Sequence, residues 1–265
     1  MPSVAWMSDF FRQAGGVAEH LDYLEAGTDI IITASYQATI LGFEPKGFSR
    51  EESEALLRKS VETACEARDI YNGKCRACTS DGVVDDRVLA PRPILVAASI
   101  GSYGAYLADG SEYSGDYGNA MSLGFLKNFH RRRLQVLADS GADLIAFEAV
   151  PNELEAQAFT SIKWSRGWIF GDLLVECAAI AEACESVVAV GINCMPPRFI
   201  HDLILCIGKE WVQNTGVQEQ DFVSYVKTWC EAGASVIGGC CRTTPTSIRA
   251  IYRTLQNRTP VLSPI

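Results

Sequence analysis

The chain has 265 residues, of which 48% are hydrophobic and 21% charged, with a formal net charge of −9. That composition is globular and excludes a low-complexity or disordered protein; one α/β domain spanning 1–265 fits the length. The acidic balance argues against nucleic acid or an anionic membrane as partner, since both need basic patches, and it suits a cationic small molecule.

No apolar run approaches the roughly 18 residues of a membrane span. The first ten residues carry neither the basic flank nor the apolar core of a signal peptide. The expectation is therefore a cytoplasmic protein whose ten cysteines are reduced.

In chain order, 7–26 reads as a helix ended by Gly27, followed by a buried strand over 29–35. A capping box, Ser49 to Glu52, starts an amphipathic helix running to about Tyr71. Residues 73–92 read as a long polar loop, 94–100 as a strand, and 101–118 as a loop rich in Gly, Tyr, Ser and Asp. A helix over 122–139 contains His130-Arg-Arg-Arg133, read as a solvated face. The strand 144–150 carries one carboxylate, Glu148, near its end. Residues 152–160 and 173–183 read as helices, with 168–170 a remnant strand between them. Strand 188–194 ends in a cysteine, and apolar stripes then mark helices ending at Gly208 and Gly233. Strand 235–239 and a helix over 245–256 close the series. The joint of helix, Ala-Gly or Gly-Ala, polar residue and strand recurs at 25–31, 140–145 and 231–237. With buried, non-alternating strands it indicates parallel βα units.

The chemistry concentrates at two strand ends. Val236-Ile-Gly-Gly-Cys-Cys-Arg-Thr-Thr-Pro245 runs from a strand through a glycine pair and two thiols into a helix opened by Thr244 and Pro245. Cys194 follows Gly191-Ile-Asn193 in a similar setting. Cysteine is among the most buried residue types, and a single strand-end cysteine usually just packs. Three thiols at the carboxyl ends of α/β strands point instead to a three-thiolate metal site, with one open position as in a catalytic zinc centre. Cys75-Arg-Ala-Cys78 also has C-x-x-C spacing, but its place in the polar loop makes it incidental. Cys65, Cys177, Cys184, Cys206 and Cys230 fall at helical core positions.

The runs Gly191-Ile-Asn-Cys194 and Gly238-Gly-Cys-Cys-Arg-Thr-Thr-Pro245 resemble the signature of the zinc-dependent homocysteine S-methyltransferases, most of all the plant-type enzymes using S-methylmethionine. The similarity extends over Tyr23–Gly27, Ala34–Thr39, Gly101–Tyr117 and Phe147-Glu148. It implies a (β/α)8 TIM-type barrel and Zn2+ held by Cys194, Cys240 and Cys241. It also implies homocysteine as acceptor and a sulfonium methyl donor, S-methylmethionine or S-adenosylmethionine. Glu148 is the glutamate expected to take the substrate ammonium, with Thr33, Ser99 and Asn193 assigned beside it. The aromatic 101–117 loop could meet a cationic sulfonium through cation–π contact or simply pack on itself. No partner chain is implied, and a monomer is expected.

Against that family the chain looks gapped. The opening strand with Asp-Gly-Gly is missing, since only Ala14-Gly-Gly16 precedes the first helix. The fifth strand has little room in 161–171, and the seventh has none near 208–211. The expectation is an incomplete barrel with strands 1, 5 and 7 absent or degraded. Loss of the seventh would make the strands of Cys194 and Cys240 neighbours, whose inward residues fall in different layers.

Overall fold

A computed structural model describes residues 16–80, 92–118, 121–162, 167–170, 175–207, 212–214, 219–239 and 243–256. Helices and strands alternate throughout. The longer helices are α1 (Val17–Ala26), α2 (Arg50–Ser80), α3 (Leu123–Ala138), α4 (Glu153–Thr160), α5 (Val175–Glu182), α6 (Pro197–Ile207), α7 (Glu219–Glu231) and α8 (Pro245–Gln256). Between them lie β1 (Ile30–Ile32), β2 (Leu95–Gly101), β3 (Leu144–Glu148), β4 (Gly167–Phe170), β5 (Val187–Met195), β6 (Val212–Asn214) and β7 (Ile237–Gly239). Every strand pairs parallel with the next, in the order β1-β2-β3-β4-β5-β6-β7. No described helix is long and apolar enough to cross a membrane.

Alternation along the strands sorts side chains into two layers. Val96, Ala98, Ile100, Ile145 and Phe147 face the helices and join the largest core cluster. Ile192 does the same at the other end of the sheet, beneath Ile200, Ile204, Val226, Trp229 and Ile251. The opposite faces supply an inner cluster of Ile30, Ile32, Ala97, Leu144, Ala146, Ala189 and Val236. The first strand and the run into the last both feed that cluster, so the sheet curls until its two ends share one interior.

Of the strands expected to be absent or degraded, two are present in shortened form. β4 and β6 occupy the fifth and seventh places, although they are only four and three residues long. Three or four residues are enough to keep the parallel pairing on both sides. Because β6 pairs with β5 on one side and β7 on the other, the two cysteine-bearing strands are not neighbours. No described residue forms a strand before β1, and the portion of the expected first helix before Val17 lies outside the described residues.

One helix runs further than expected. α2 extends to Ser80 because its buried stripe of Leu57, Val61, Ala64, Ala67, Tyr71 and Cys75 continues at spacings of three and four. Cys75 is thus a buried helix residue, while the side chain of Cys78 lies outside the described set. The Ser49–Glu52 capping box is formed: Glu52 N donates to Ser49 Oγ at 3.1 Å, and Ser49 N to Glu52 Oε2 at 2.7 Å.

α1 packs against α8, the last helix, where Gly27 ends α1 at φ +112°. A Cβ at Gly27 would fall 2.5 Å from the Tyr252 ring, so only glycine allows this approach. Gly27→Ala should cost about 2–4 kcal/mol, from the left-handed backbone plus overpacking. Urea unfolding should find Gly27→Ala/Tyr252→Ala less destabilised than the sum of the two single changes.

Candidate functional site

Parallel strands bring all their carboxyl ends to one side of the sheet, and there the apolar interior gives way to hydroxyls and a carboxylate. Thr33, Ser99 and Glu148 are 3%, 1% and 8% exposed. Ser35 Oγ donates to the Ser99 carbonyl at 2.8 Å, which uses its only proton. The 2.7 Å contact between Thr33 Oγ1 and Ser35 Oγ is therefore donated by Thr33. Thr33 Oγ1 in turn accepts from Ser99 N at 3.0 Å. The Ser99 hydroxyl donates to Glu148 Oε1 in a short contact. Three predicted pocket residues are thus tied into one directed chain across β1, β2 and β3. Ala149 follows at φ +50°. A left-handed alanine costs about 1–2 kcal/mol, and it turns the chain out of β3 immediately after the carboxylate.

Asn193 lies on β5, four strand positions away in sequence order from β1, and is 2% exposed. Its Oδ1 has no hydrogen-bond partner among the described residues. Pairing of β5 with β6 shifts register between Ile192 and Met195, around Asn193 and Cys194. Such irregularities re-aim side chains next to active sites. The side chain of Cys194, and Cys240 and Cys241 altogether, lie outside the described residues. Among the described residues, no group of three or more His, Cys, Asp or Glu could hold a metal.

The surroundings of the Cys240–Cys241 run are nevertheless defined on both sides. Gly239 ends β7, and a Cβ there would lie 2.1 Å from Thr243 Cγ2, so the Thr243 side chain sits directly against the glycine. Tyr23 OH on α1 donates to the Thr243 carbonyl at 2.8 Å. β5, which contains Cys194, and β7, which ends one residue before Cys240, run parallel with one strand between them.

A second polar cluster was not foreseen. His130 and Arg133 are 0% and 2% exposed, not solvated. His130 Nε2 lies 2.7 Å from Glu155 Oε1, and Arg133 Nη2 lies 3.0 Å from His130 Nδ1. An arginine can only donate, so Nδ1 accepts and Nε2–H donates to Glu155: the imidazole is neutral. Burial holds the His130 pKa down at about 4 and lowers that of Arg133 to about 10. Glu155, fully buried, also accepts from Tyr103 N at 2.6 Å and from Tyr117 OH. The signal was in the period: 126, 130, 133, 134 and 137 form one helical stripe, which Arg131 and Arg132 leave. Arg132 instead grips Glu54 on α2 through two 2.6 Å contacts, and that pairing holds the Glu54 carboxyl at about 2.

The aromatic loop after β2 packs on itself. The Tyr103 ring lies 4.9–5.8 Å from those of Tyr106, Tyr117, Phe125 and Phe129, mostly edge to face. These rings hold the loop down rather than forming an open cage for a cation.

Residues 17–255 match the profile of the homocysteine S-methyltransferase family. This chain belongs to that family. It is 59% identical over 276 residues to homocysteine S-methyltransferase 2 of Arabidopsis thaliana, covering 90% of this chain and 82% of the relative. It is 57% identical over 275 residues to a selenocysteine methyltransferase of Astragalus bisulcatus, covering 90% and 81%. Among solved structures, the metallated form of the Escherichia coli homocysteine methyltransferase MmuM superposes with a TM-score of 0.80 at 35% identity, covering 94% of this chain and 88% of that one. The oxidised form of the same enzyme gives 0.81. As a homocysteine S-methyltransferase family member, the chain is related to enzymes, and Cys194, Cys240 and Cys241 stand in the runs that first carried the resemblance.

The neutral His130 yields a pH prediction. Its folded pKa lies below the unfolded value of 6.5, so the folded protein binds this proton less well than the unfolded chain. Stability is complete above pH 6.5 and declines as pH falls toward 4, by on the order of 3 kcal/mol from this group. His130→Gln should flatten that part of the stability–pH curve relative to wild type, read by urea midpoints between pH 4 and 7.5.

Proposed function

We propose that this protein transfers a methyl group from a sulfonium donor to the sulfur of homocysteine, giving methionine, with a zinc ion held by Cys194, Cys240 and Cys241. The observation that carries this is the place of β6 between β5 and β7. Side chains from alternate barrel strands share an interior layer, so a thiol near the end of β5 and thiols just after β7 can address one ion.

A thiol of pKa about 8.5 is only ~3% thiolate at pH 7. Zinc bound there supplies a Lewis acid that favours the deprotonated substrate sulfur. The sulfur lone pair forms the new bond to the methyl carbon as the donor's S–CH3 bond breaks, its electron pair returning to the donor sulfur. The donor leaves as a neutral thioether, so no acid is needed for the leaving group. The protein's own groups bind and orient. Glu148 accepts from the homocysteine ammonium, and the Ser99 hydroxyl holds one carboxylate oxygen in place. Thr33 fixes Ser99 through its backbone N–H, and Asn193 Oδ1 offers a further acceptor. The net charge of −9 favours approach of a cationic donor. S-Methylmethionine is the donor we favour, and the cytoplasm, where thiols stay reduced, the compartment.

A second reading rests on the seam of the sheet. β1 and β7 are not paired with each other among the described residues. They flank a cavity of about 380 Å³ lined by Ile30, Ile32, Val236 and Gly238, with Tyr23 and Tyr252 also on its wall. On this reading the barrel lacks a strand at that position, and the chain holds its metal without turnover.

Methionine formation from homocysteine and S-methylmethionine, with zinc content measured on the same sample, separates the two. Catalysis predicts near-stoichiometric zinc, activity abolished by chelator, and Cys241→Ser losing both metal and activity. Glu148→Gln should retain zinc and raise the homocysteine KM by about tenfold or more, the cost of losing a charged hydrogen bond. Zinc without methionine supports the second reading; no zinc refutes both.

A further inference from the structure

Beyond the pocket, the buried cluster on α3 and α4 has no part in the chemistry just described, and its composition asks for a reason. Taking an arginine and a glutamate out of water costs several kcal/mol per ion, and well-packed apolar residues in their place are often as stable or more so. The contacts show where the network's effect is felt. Arg133 Nη2 donates to the Gly101 carbonyl at 2.6 Å, and Nη1 reaches the Ala38 carbonyl at 3.3 Å. Gly101 is the residue paired with Glu148 in the β2–β3 register. Its N–H donates to the Tyr36 carbonyl at 3.0 Å, an approach so close that a Cβ would lie 2.6 Å from that oxygen. At the other end of the network, Glu155 takes the N–H of Tyr103 and the hydroxyl of Tyr117. Those two residues bracket the loop that leaves β2. Glu155 itself sits on the helix that follows β3, its own N–H capped by Asn152 Oδ1 at 3.0 Å.

We infer that Arg133, His130 and Glu155 are positioning residues for the substrate pocket, a charge-balanced clasp joining the segments that leave β1, β2 and β3 beside Thr33, Ser99 and Glu148. The neutral imidazole is the required link. It accepts from the cation on one side and donates to the carboxylate on the other, so the two ions are joined without facing each other directly. The clasp acts through Glu148, and its catalytic consequence therefore rests on the proposed function.

The test compares wild type with Arg133→Met, Arg133→Lys and the milder Tyr117→Phe, which removes only one hydroxyl from Glu155. Amide hydrogen exchange at Gly101 and Tyr103 is read without substrate; homocysteine KM, kcat, zinc content and thermal midpoint are read on the same preparations. The expected result for Arg133→Met is exchange at Gly101 faster by about tenfold or more, as loss of a charged hydrogen bond implies. Its KM should rise about tenfold, kcat change less than about threefold, and zinc stay constant. Arg133→Lys should recover part of both effects, and Tyr117→Phe should quicken Tyr103 exchange alone. Folded variants with unchanged exchange at both amides, or a fall in thermal midpoint with KM untouched, overturn the inference. Should Arg133→Met fail to fold, Tyr117→Phe decides by the same Tyr103 readout. A wild type that makes no methionine sinks the proposed function, while the exchange data still decide whether the clasp holds these loops.

Discussion

Each backbone N–H and C=O on a buried parallel strand must find a partner on the adjoining strand. In this chain that requirement is met even where a strand is reduced to three residues before its helix. β6 is three residues long, and yet its pairings to β5 and β7 are kept. Remove those pairings and the ends of β5 and β7 become neighbours, with the thiols beyond them addressing different layers. The separation of β5 from β7 thus rests on the main-chain pairing of a three-residue strand.

Along the strands, the interior changes character within a few residues. Ala97, Leu144 and Ala146 close the apolar layer, and Ser99 and Glu148, each two positions further on in the same alternation, form the polar one. Burial makes that transition demanding, since an unpartnered carboxylate or hydroxyl there costs far more than at the surface. The directed chain from Thr33 through Ser35 and Ser99, and from Ser99 to Glu148, meets the demand while leaving a carboxylate at the strand ends. Behind it, the Arg133–His130–Glu155 cluster satisfies a second set of buried charges and anchors the loops around the first.

Much of this was legible from residue order. The carboxylate at the end of a buried strand and the helix-to-strand joints are local patterns, readable without knowledge of the tertiary fold. β6 was not legible, because Val212-Gln-Asn214 has neither an apolar run nor an alternation longer than one step; its strand state comes from its neighbours. The buried role of His130 and Arg133 was hidden for a different reason. Three consecutive arginines look like a solvated face until the 3.6-residue period is applied, and only Arg131 and Arg132 then leave the stripe. The extension of α2 past Gly73 was masked by polar composition, although Tyr71 and Cys75 continued the buried spacing.

The hydrogen bond from Tyr23 to the Thr243 carbonyl spans 220 residues of chain. Translation at roughly 5–20 residues per second separates the appearance of its two ends by about 10–45 s. The Thr243 carbonyl therefore gains this partner only long after α1 has been made. Docking of the first described helix against the last, which brings the two ends of the sheet around one interior, is a late event that waits for every strand between them to be made.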